Sequence, residues 1–435
     1  MIKSNRTHSL SAVVFSVYVA ILLPNSARAG ANVVDRAAAV IVVDDPTLSL
    51  QVSAARAQFL SAQNFDRFDV TVLLRDAKNQ WRRGSVGGDK LAYPASCVKL
   101  AYLVGAVHWC AAQGQAPECL DVHVRPMIVV SDNVATGFVV DRLSGVLNVT
   151  ASAAGGFESW LAARRYTERV LDAQGLLGAQ RLFNKTYPAN SSESPEGFEA
   201  RARRDVGANV MSPDLAAKLL LAIITGSIEP QASAYMRALL DRDRFSSDTA
   251  FGAGLPPGSR LQNKVGVAYD TLEDIAWMQL PGGQQLIIAA FSNAWDQKEP
   301  EPRDVAKLSG FPEQLIKALG LERSLPFHRS LPPDRSAPAR NALLQQRWTL
   351  PVPRAGRYEL ALWYDANAGN TNNAEFRIAH AAGDSALSYN QQTWGRRWLP
   401  LGQFEFKRGR ATVTAKAASL GRLANAVVKI SFVPP

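Results

Sequence analysis

The segment from residue 325 to 340 divides the 435-residue chain into two parts with different sequence patterns. Four of its sixteen residues are proline, and proline disfavours helix and stiffens an extended connection. The charge changes at the same place. From Arg340 onward there are 13 basic and 5 acidic residues, whereas residues 30–339 are close to neutral. We therefore predict a domain at 30–324, a linker at 325–340 and a second domain at 341–435.

The first 29 residues have the pattern of a signal peptide. Lys3 and Arg6 precede a mostly apolar run, Leu10–Leu23, and Ala27-Arg28-Ala29 supplies small residues for cleavage after Ala29. A membrane anchor is the alternative, although the run is short for a membrane span. No later apolar stretch reaches 18 residues, which argues against an integral membrane protein. We expect a periplasmic or secreted protein.

Three cysteines, Cys97, Cys110 and Cys119, fit export only weakly. Cys110 and Cys119 flank a short polar turn and are the more plausible disulfide pair in an oxidising compartment. His108 and His123 beside them leave a metal site open as an alternative, although the spacing matches no standard zinc motif. Cys97 is expected to fill space in the core.

The segment before the linker mixes helix and strand patterns. Residues 96–110 are apolar almost all round, which is typical of a helix buried at the centre of a domain. Other helical patterns lie at 132–144, 157–176, 212–225 and 304–320. Strand patterns lie at 68–75, 260–267, 273–280 and 285–293. Strands near both ends with helices between them predict an α+β fold with a mainly antiparallel sheet.

After the linker the pattern becomes all-β. Alternating or β-rich runs separated by glycine and asparagine lie at 357–364, 375–380, 398–406, 410–416 and 426–432. Five to eight short strands in fewer than about 100 residues predict a β-sandwich.

Three short motifs in the first domain carry the chemistry. They are Ser96-Cys97-Val98-Lys99, Ser131-Asp132-Asn133 and Lys264-Val265-Gly266. Each motif is a weak signal alone. Their order along the chain, together with the helix or strand pattern beside each of them, seldom arises by chance. Together they resemble the S-x-x-K, S-D-N and K-T-G elements of class A β-lactamases and penicillin-binding proteins. The resemblance covers about residues 40–320 and implies a serine β-lactamase/transpeptidase-like fold with a helical lobe.

A chemical role can be assigned to each motif. Ser96 and Lys99 lie one helical turn apart, so a lysine made neutral by burial can take the serine proton. Ser131 would relay the proton to the leaving group, and Asn133 would hold the substrate amide. Lys264 would attract a substrate carboxylate. The backbone N–H groups of Ser96 and Val267 would form an oxyanion hole, with Gly266 also in the substrate-binding strand.

Two departures from the family pattern limit this interpretation. Val265 replaces the usual threonine, which removes a hydroxyl that helps bind a substrate carboxylate. The chain also has no Glu-x-x-Leu-Asn, whose glutamate activates the deacylating water in class A enzymes. Glu193, Glu196 and Glu199 lie in the corresponding region without the pattern. Acylation of Ser96 is therefore better supported than rapid turnover of the acyl-enzyme.

The second domain resembles the golvesin-type, xanthan-lyase-like sandwich module. The segments that carry the likeness are Gly356–Leu360 with Trp363-Tyr364, Asn373-Ala374 with His380, Trp398–Phe406 and Ala424–Val427. The resemblance implies association with carbohydrate or cell wall. The positive charge favours an anionic glycan or envelope surface. Exposed tryptophans would suit stacking on sugars, but a core role is more common for Trp348, Trp363, Trp394 and Trp398.

These observations predict an exported serine hydrolase acting on β-lactams or on D-alanyl-type amides and esters, with a small-molecule or peptidoglycan-derived substrate. A peptidase or esterase with little β-lactam turnover is one alternative, and a non-hydrolytic penicillin-recognising or wall-binding protein is another. No cofactor or metal is expected, and no nucleic-acid recognition motif accompanies the basic charge. The chain has no H-E-x-x-H, G-x-S-x-G, G-x-G-x-x-G or Walker loop.

Overall fold

A computed structural model describes residues 40–63, 65–148, 156–177, 196–228, 230–242, 250–293, 306–325, 344–419 and 421–434. The predicted signal peptide, the predicted linker beyond Leu325, and Glu193 lie outside these residues. Residues 39–435 form one compact unit.

Seven strands of the first part form one sheet with the order β1-β3-β2-β7-β6-β5-β4. Strand β1 runs parallel to β3, and every other neighbouring pair is antiparallel. The predicted antiparallel sheet is therefore confirmed. The strands are β1 Val42–Asp44, β2 Arg67–Arg75, β3 Trp81–Val86, β4 Asp241–Arg242, β5 Arg260–Ala268, β6 Thr271–Gln279 and β7 Gln285–Asn293.

Ten helices of the first part lie within the described residues. They are α1 Pro46–Leu60, α2 Lys99–Ala112, α3 Asp121–Val129, α4 Asn133–Ser144, α5 Phe157–Arg164, α6 Tyr166–Ala173, α7 Gly197–Asp205, α8 Pro213–Thr225, α9 Pro230–Leu240 and α10 Gly310–Ala318. The single helix predicted at 157–176 is two helices that meet at Arg165. Helices α1, α3, α7 and α9 have no counterpart among the predicted elements.

The sheet separates two apolar layers. On one face Leu48 and Phe59 of α1 pack with Phe311 of α10. On the other face α2 and α8 pack against the sheet and form the core of the helical lobe. Helix α2 is central, as its sequence predicts, and its buried side chains lie all around its axis. The stretch Ala95–Ala112 is apolar and long enough to cross a membrane, but 72% of it is buried inside the protein.

The second part is a β-sandwich, as predicted. One sheet has the order β11-β10-β13-β8 and the other has the order β12-β9-β14. The strands are β8 Gln345–Val352, β9 Gly356–Tyr364, β10 Ala374–His380, β11 Gly383–Tyr389, β12 Leu399–Phe406, β13 Gly409–Ala417 and β14 Ala426–Phe432.

Most of the sandwich tryptophans are core residues. Trp363, Trp394 and Trp398 are 7%, 3% and 5% exposed, and Trp348 is half-buried. The ring of Trp363 packs edge-on against that of Trp398. Sugar stacking on these three buried rings is therefore wrong as an interpretation, because their faces are covered by protein.

A loop of the sandwich is docked on the first part of the chain. The side-chain amide of Asn390 donates to the carbonyl of Ala253, and Trp394 Nε1 donates to the carbonyl of Gly254 at 2.9 Å. An ion pair joins Arg397 to Glu322. A single buried apolar cluster includes residues of both parts. The sandwich is thus packed against the α+β part.

Candidate active site

Ser96 lies in a tight turn that leads directly into the buried helix. Residues Ala95–Val98 form a 3₁₀ turn, and α2 begins at Lys99. Ala95 has φ +41°, a left-handed conformation that is costly for a residue with a side chain. Such strain is often found at functional sites, where the surrounding structure holds it in place. Ser96 is half-buried, whereas the side chain of Lys99 is fully buried.

The Ser131-Asp132-Asn133 motif divides into one structural and two site residues. Asp132 is the N-cap of α4, because its Oδ1 accepts the backbone N–H of Ala135 at 2.7 Å. Ser131, just before the cap, has φ +60°. This sharp turn leaves Ser131 and Asn133 beside the lysine of α2.

Strand β5 lies directly against the Ser96 turn. The thiol of Cys97 donates to the carbonyl of Lys264 at 3.2 Å. A Cβ atom added at Gly266 would stand 2.9 Å from Pro94 O and 3.1 Å from Cys97 N. Only glycine therefore allows this close approach. Cys97 fills the core as predicted and also binds the strand to the turn.

Hydrogen bonds bring four of the predicted side chains together. Lys99 Nζ donates to Ser131 O at 2.6 Å and to Asn133 Oδ1 at 2.8 Å, and it lies 3.2 Å from Ser131 Oγ. Lys264 Nζ donates to Ser131 Oγ at 3.0 Å and to Val265 O at 2.8 Å. The Ser131 hydroxyl therefore stands between the two lysine amines.

Burial lowers the pKa of Lys99 to about 6. Loss of water around the amine is the largest cause, and the positive charge of Lys264 acts in the same direction. The nearby Asp132 and Cys97 oppose the shift. The amine of Lys99 is therefore mostly neutral at pH 7.

A neutral amine at this position has its lone pair directed by its partners. Ser131 O and Asn133 Oδ1 are acceptors, so they take the two N–H bonds that a neutral amine possesses. The lone pair remains for a hydroxyl proton. Ser131 is one source of that proton, and Ser96, one helical turn before Lys99, is the other.

Strand β5 presents an edge beside the Ser96 turn. Strand β6 pairs with β5 along its whole length, whereas β4 pairs only with Leu261 and Gln262. Within the part of the chain that the structure describes, no strand pairs with this edge of residues 263–268. Val267 is 36% exposed there. The assignment of its N–H and that of Ser96 to an oxyanion hole stays a prediction.

The glutamates considered for deacylation do not join this cluster where the structure describes them. Glu199 bonds to the buried Arg164, whose guanidinium also pairs with Asp141. Asp141 is eight residues along α4 from Asn133, about 12 Å at 1.5 Å per residue. Glu199 therefore has a structural ion-pair role. Glu196 is exposed at the start of α7.

A further pair of tyrosines lies close to the site in sequence. Tyr93 precedes Ser96 by three residues, Tyr269 follows Val267 by two, and their ring centroids are 5.9 Å apart. Tyr269 is 51% exposed and has φ +55°. Nothing in the sequence pattern pairs these rings, because their contact depends on the approach of β5 to the Ser96 turn.

The metal alternative at the cysteines is wrong. Cys110 and Cys119 form a disulfide that ties the end of α2 to the loop before α3. His108 lies within hydrogen-bond distance of Tyr166, and His123 stacks on Phe138. No cluster of metal-ligating side chains occurs among the described residues.

Comparison with known families agrees with both resemblances. Residues 111–309 match the model of the β-lactamase enzyme family. Residues 335–431 match the golvesin C-terminal domain. The chain combines a β-lactamase-like domain with a golvesin-type domain. The first match begins after Ser96 and Lys99. Lys99 is placed in the site by its hydrogen bonds to Ser131 and Asn133, and Ser96 by its position one helical turn before Lys99.

Three individual proteins are among those similar to this chain. Golvesin of Dictyostelium discoideum is 27% identical over 409 residues, which are 86% of this chain and 70% of that protein. Among solved structures, a β-lactamase from Sphaerobacter thermophilus is 18% identical with a TM-score of 0.45, covering 65% of this chain and 99% of its own. PBP-A is 20% identical with a TM-score of 0.45, covering 65% of this chain and 98% of its own.

Proposed function

We propose that this protein is an exported serine hydrolase that is acylated at Ser96 by β-lactams or by related D-alanyl-type amides and esters. The observation that carries the proposal is the environment of Lys99. Its buried amine has a pKa of about 6 and contacts Ser131 and Asn133. A general base with these properties is what a serine nucleophile needs at neutral pH.

The proposed reaction begins with attack of Ser96 Oγ on the carbonyl carbon of the substrate. The hydroxyl proton passes to Lys99 Nζ as the new C–O bond forms. When the C–N or C–O bond of the substrate breaks, the proton reaches the leaving atom through the Ser131 hydroxyl. Lys264, which donates to that hydroxyl, keeps it directed toward Lys99 and adds positive charge for a substrate carboxylate.

A slowly deacylating, penicillin-recognising protein is the second candidate. The position of Glu199 favours it, because this carboxylate bonds to Arg164, whose other partner Asp141 lies about 12 Å along α4 from Asn133. Stopped-flow turnover of a chromogenic β-lactam separates the two functions. Steady product release after one equivalent supports a hydrolase, whereas a burst of one equivalent followed by slow release supports the second candidate.

We also propose a periplasmic or secreted location and an anionic glycan or envelope surface as the partner of the sandwich. The Cys110–Cys119 disulfide supports an oxidising compartment, and the basic C-terminal charge supports the partner. Cosedimentation with purified cell wall tests the partner. Binding should weaken as salt rises, and binding that is absent at low salt would contradict this proposal.

A further inference from the structure

A series of hydrogen bonds connects the sandwich with strand β5, which carries Lys264. Asn390 and Trp394 of the sandwich donate to the carbonyls of Ala253 and Gly254. These carbonyls belong to the 3₁₀ turn Gly252–Gly254, which sits between the sandwich and the α+β core. A Cβ atom at Gly254 would lie 1.7 Å from Ser309 O, so the turn is also enclosed from its other side.

The residue before this turn holds a buried carboxylate. The backbone N–H of Phe251 donates to Asp274 Oδ2 at 3.0 Å. Asn263 Nδ2 lies 3.0 Å from Asp274 Oδ1 and 3.2 Å from Oδ2. Asp274 and Asn263 are 0% and 1% exposed. Asp274 therefore connects the turn on which the sandwich docks with strand β5. The connection is made at Asn263, one residue before Lys264.

The docking loop is itself firmly held inside the sandwich. The hydroxyl of Tyr364 lies 2.8 Å from Asn390 O and 2.7 Å from Thr393 O. The side chain of Gln391 accepts the backbone N–H of Ala424 at 2.7 Å. Trp394 is 3% exposed and has φ +57°. These hydrogen bonds hold the loop rigid, so it can fix the position of the turn that it contacts.

We propose that the β-sandwich positions the active-site strand, with Asn390 and Trp394 as positioning residues that act through the turn Gly252–Gly254 and Asp274. The proposal rests on the proposed function for its catalytic consequence only. The sandwich then supports the hydrolase site structurally, in addition to any binding role that it has. Loss of its contacts allows β5 to move at Asn263 and takes Lys264 away from Ser131.

Two substitutions in the full-length protein, each of which removes one hydrogen-bond donor to the turn, test this. Trp394→Phe keeps a ring but removes the indole N–H, and Asn390→Asp keeps the acceptor for Gln392 N while replacing the donor to Ala253 O. The matched controls break equivalent bonds within the sandwich. Trp348→Phe removes the bond to Ala426 O, and Gln346→Glu removes the bond to Ala424 O.

The first measurement is hydrogen–deuterium exchange of β5. The double variant Trp394→Phe/Asn390→Asp should exchange faster over residues 260–268 than either the wild type or the double control. This measurement does not depend on activity, so it tests the inference even if the wild type is never acylated. Equal exchange of β5 in the variant and the control would overturn the proposal.

The second measurement is acylation by a fluorescent penicillin across a range of pH. Two weakened hydrogen bonds should slow acylation by about tenfold in the double variant but not in the control. The midpoint of the acid limb should also move upward, because a more distant Lys264 depresses the pKa of Lys99 less. Asp132 and Cys97, the other charged or titratable groups acting on Lys99, are unchanged. A wild-type rate and midpoint in the variant would contradict a positioning role.

Discussion

The Ser96 site and the docking loop of the sandwich bury polar groups in opposite ways. At the site two lysine side chains are buried close together, and the fold keeps one amine near a pKa of 6. At the docking loop, the neutral side chains of Asn390 and Tyr364 donate to backbone carbonyls. The first arrangement is costly and chemically reactive, whereas the second is stable and rigid. The difference separates the part that performs chemistry from the part that supports it.

Removing the buried amine of Lys99 should have the largest effect on the chemistry of the site. Lys99→Met retains much of the apolar stem and removes the base, so acylation should slow by about 10³-fold. The rate of fluorescent-penicillin labelling measures this. Lys218→Met, on the exposed side of α8, is the control and should label at the wild-type rate. A Lys99→Met protein that folds and is acylated like the wild type would exclude Lys99 as the base.

Removing the hydroxyl between the two amines should have the next largest effect. Because Ser131 has φ +60°, Ser131→Gly removes the hydroxyl without backbone strain, and we expect acylation to slow by about 10²-fold. Ser131→Ala should be equally slow but less stable, since alanine is strained in this conformation. Rapid acylation of the glycine variant, measured by stopped-flow labelling, would exclude the relay.

Acidification should remove the base reversibly. Below pH 6 the amine of Lys99 becomes protonated, so the acylation rate should fall about tenfold for each pH unit further down. In Lys264→Ala the remaining activity should have a higher midpoint, because a positive charge that lowers the pKa of Lys99 is gone. Rates measured from pH 4.5 to 9 test both points. A flat profile across pH 6 in the wild type would contradict them.

Adding one methyl group at Gly266 tests the close approach of β5. In Gly266→Ala the new Cβ would meet Pro94 O and Glu273 Oε2, each at 2.9 Å. We expect a loss of about 1 to 3 kcal/mol in the free energy of unfolding, together with slower acylation. Gly310→Ala, whose Cβ would make an ordinary 3.4 Å contact with Phe59, is the control. Equal denaturation midpoints for the two variants would refute the steric argument.

The smallest effect on the chemistry is expected at the disulfide. Replacing both Cys110 and Cys119 by alanine should lower the free energy of unfolding by about 2 to 3 kcal/mol. The acylation rate should not change, because the bridge lies at the far end of α2 from Lys99. Urea unfolding and labelling of the same sample measure both. A large loss of acylation in a folded variant would show that this end of α2 also positions the site.

Local sequence patterns predicted the helices and strands that carry the three motifs better than the contacts between the two parts of the chain. The one-turn spacing of Ser96 and Lys99 is a local feature, so it can be read directly from the sequence. The alternating or β-rich sequence of residues 260–293 also predicted the three strands β5, β6 and β7. The contacts of Asn390 and Trp394 with the turn Gly252–Gly254 join residues far apart in the chain, and no local pattern encodes them.

Two strands of the sandwich were missed for identifiable reasons. Strand β8 contains Pro351, and proline weakens a strand pattern unless the strand lies at an edge, as β8 does. Strand β11, Gly383–Tyr389, is also an edge strand and is rich in small and polar residues. Edge strands bury fewer side chains, so their alternation in the sequence is weak.

Intact-mass measurement of the wild type and of Ser96→Ala after exposure to penicillin tests the central claim most directly. Opening of a β-lactam ring by a serine leaves the whole molecule attached. The wild type should therefore gain the mass of one intact penicillin, and Ser96→Ala should gain nothing. A wild type that neither carries an adduct nor consumes the penicillin, or the same adduct on both proteins, would contradict acylation at Ser96.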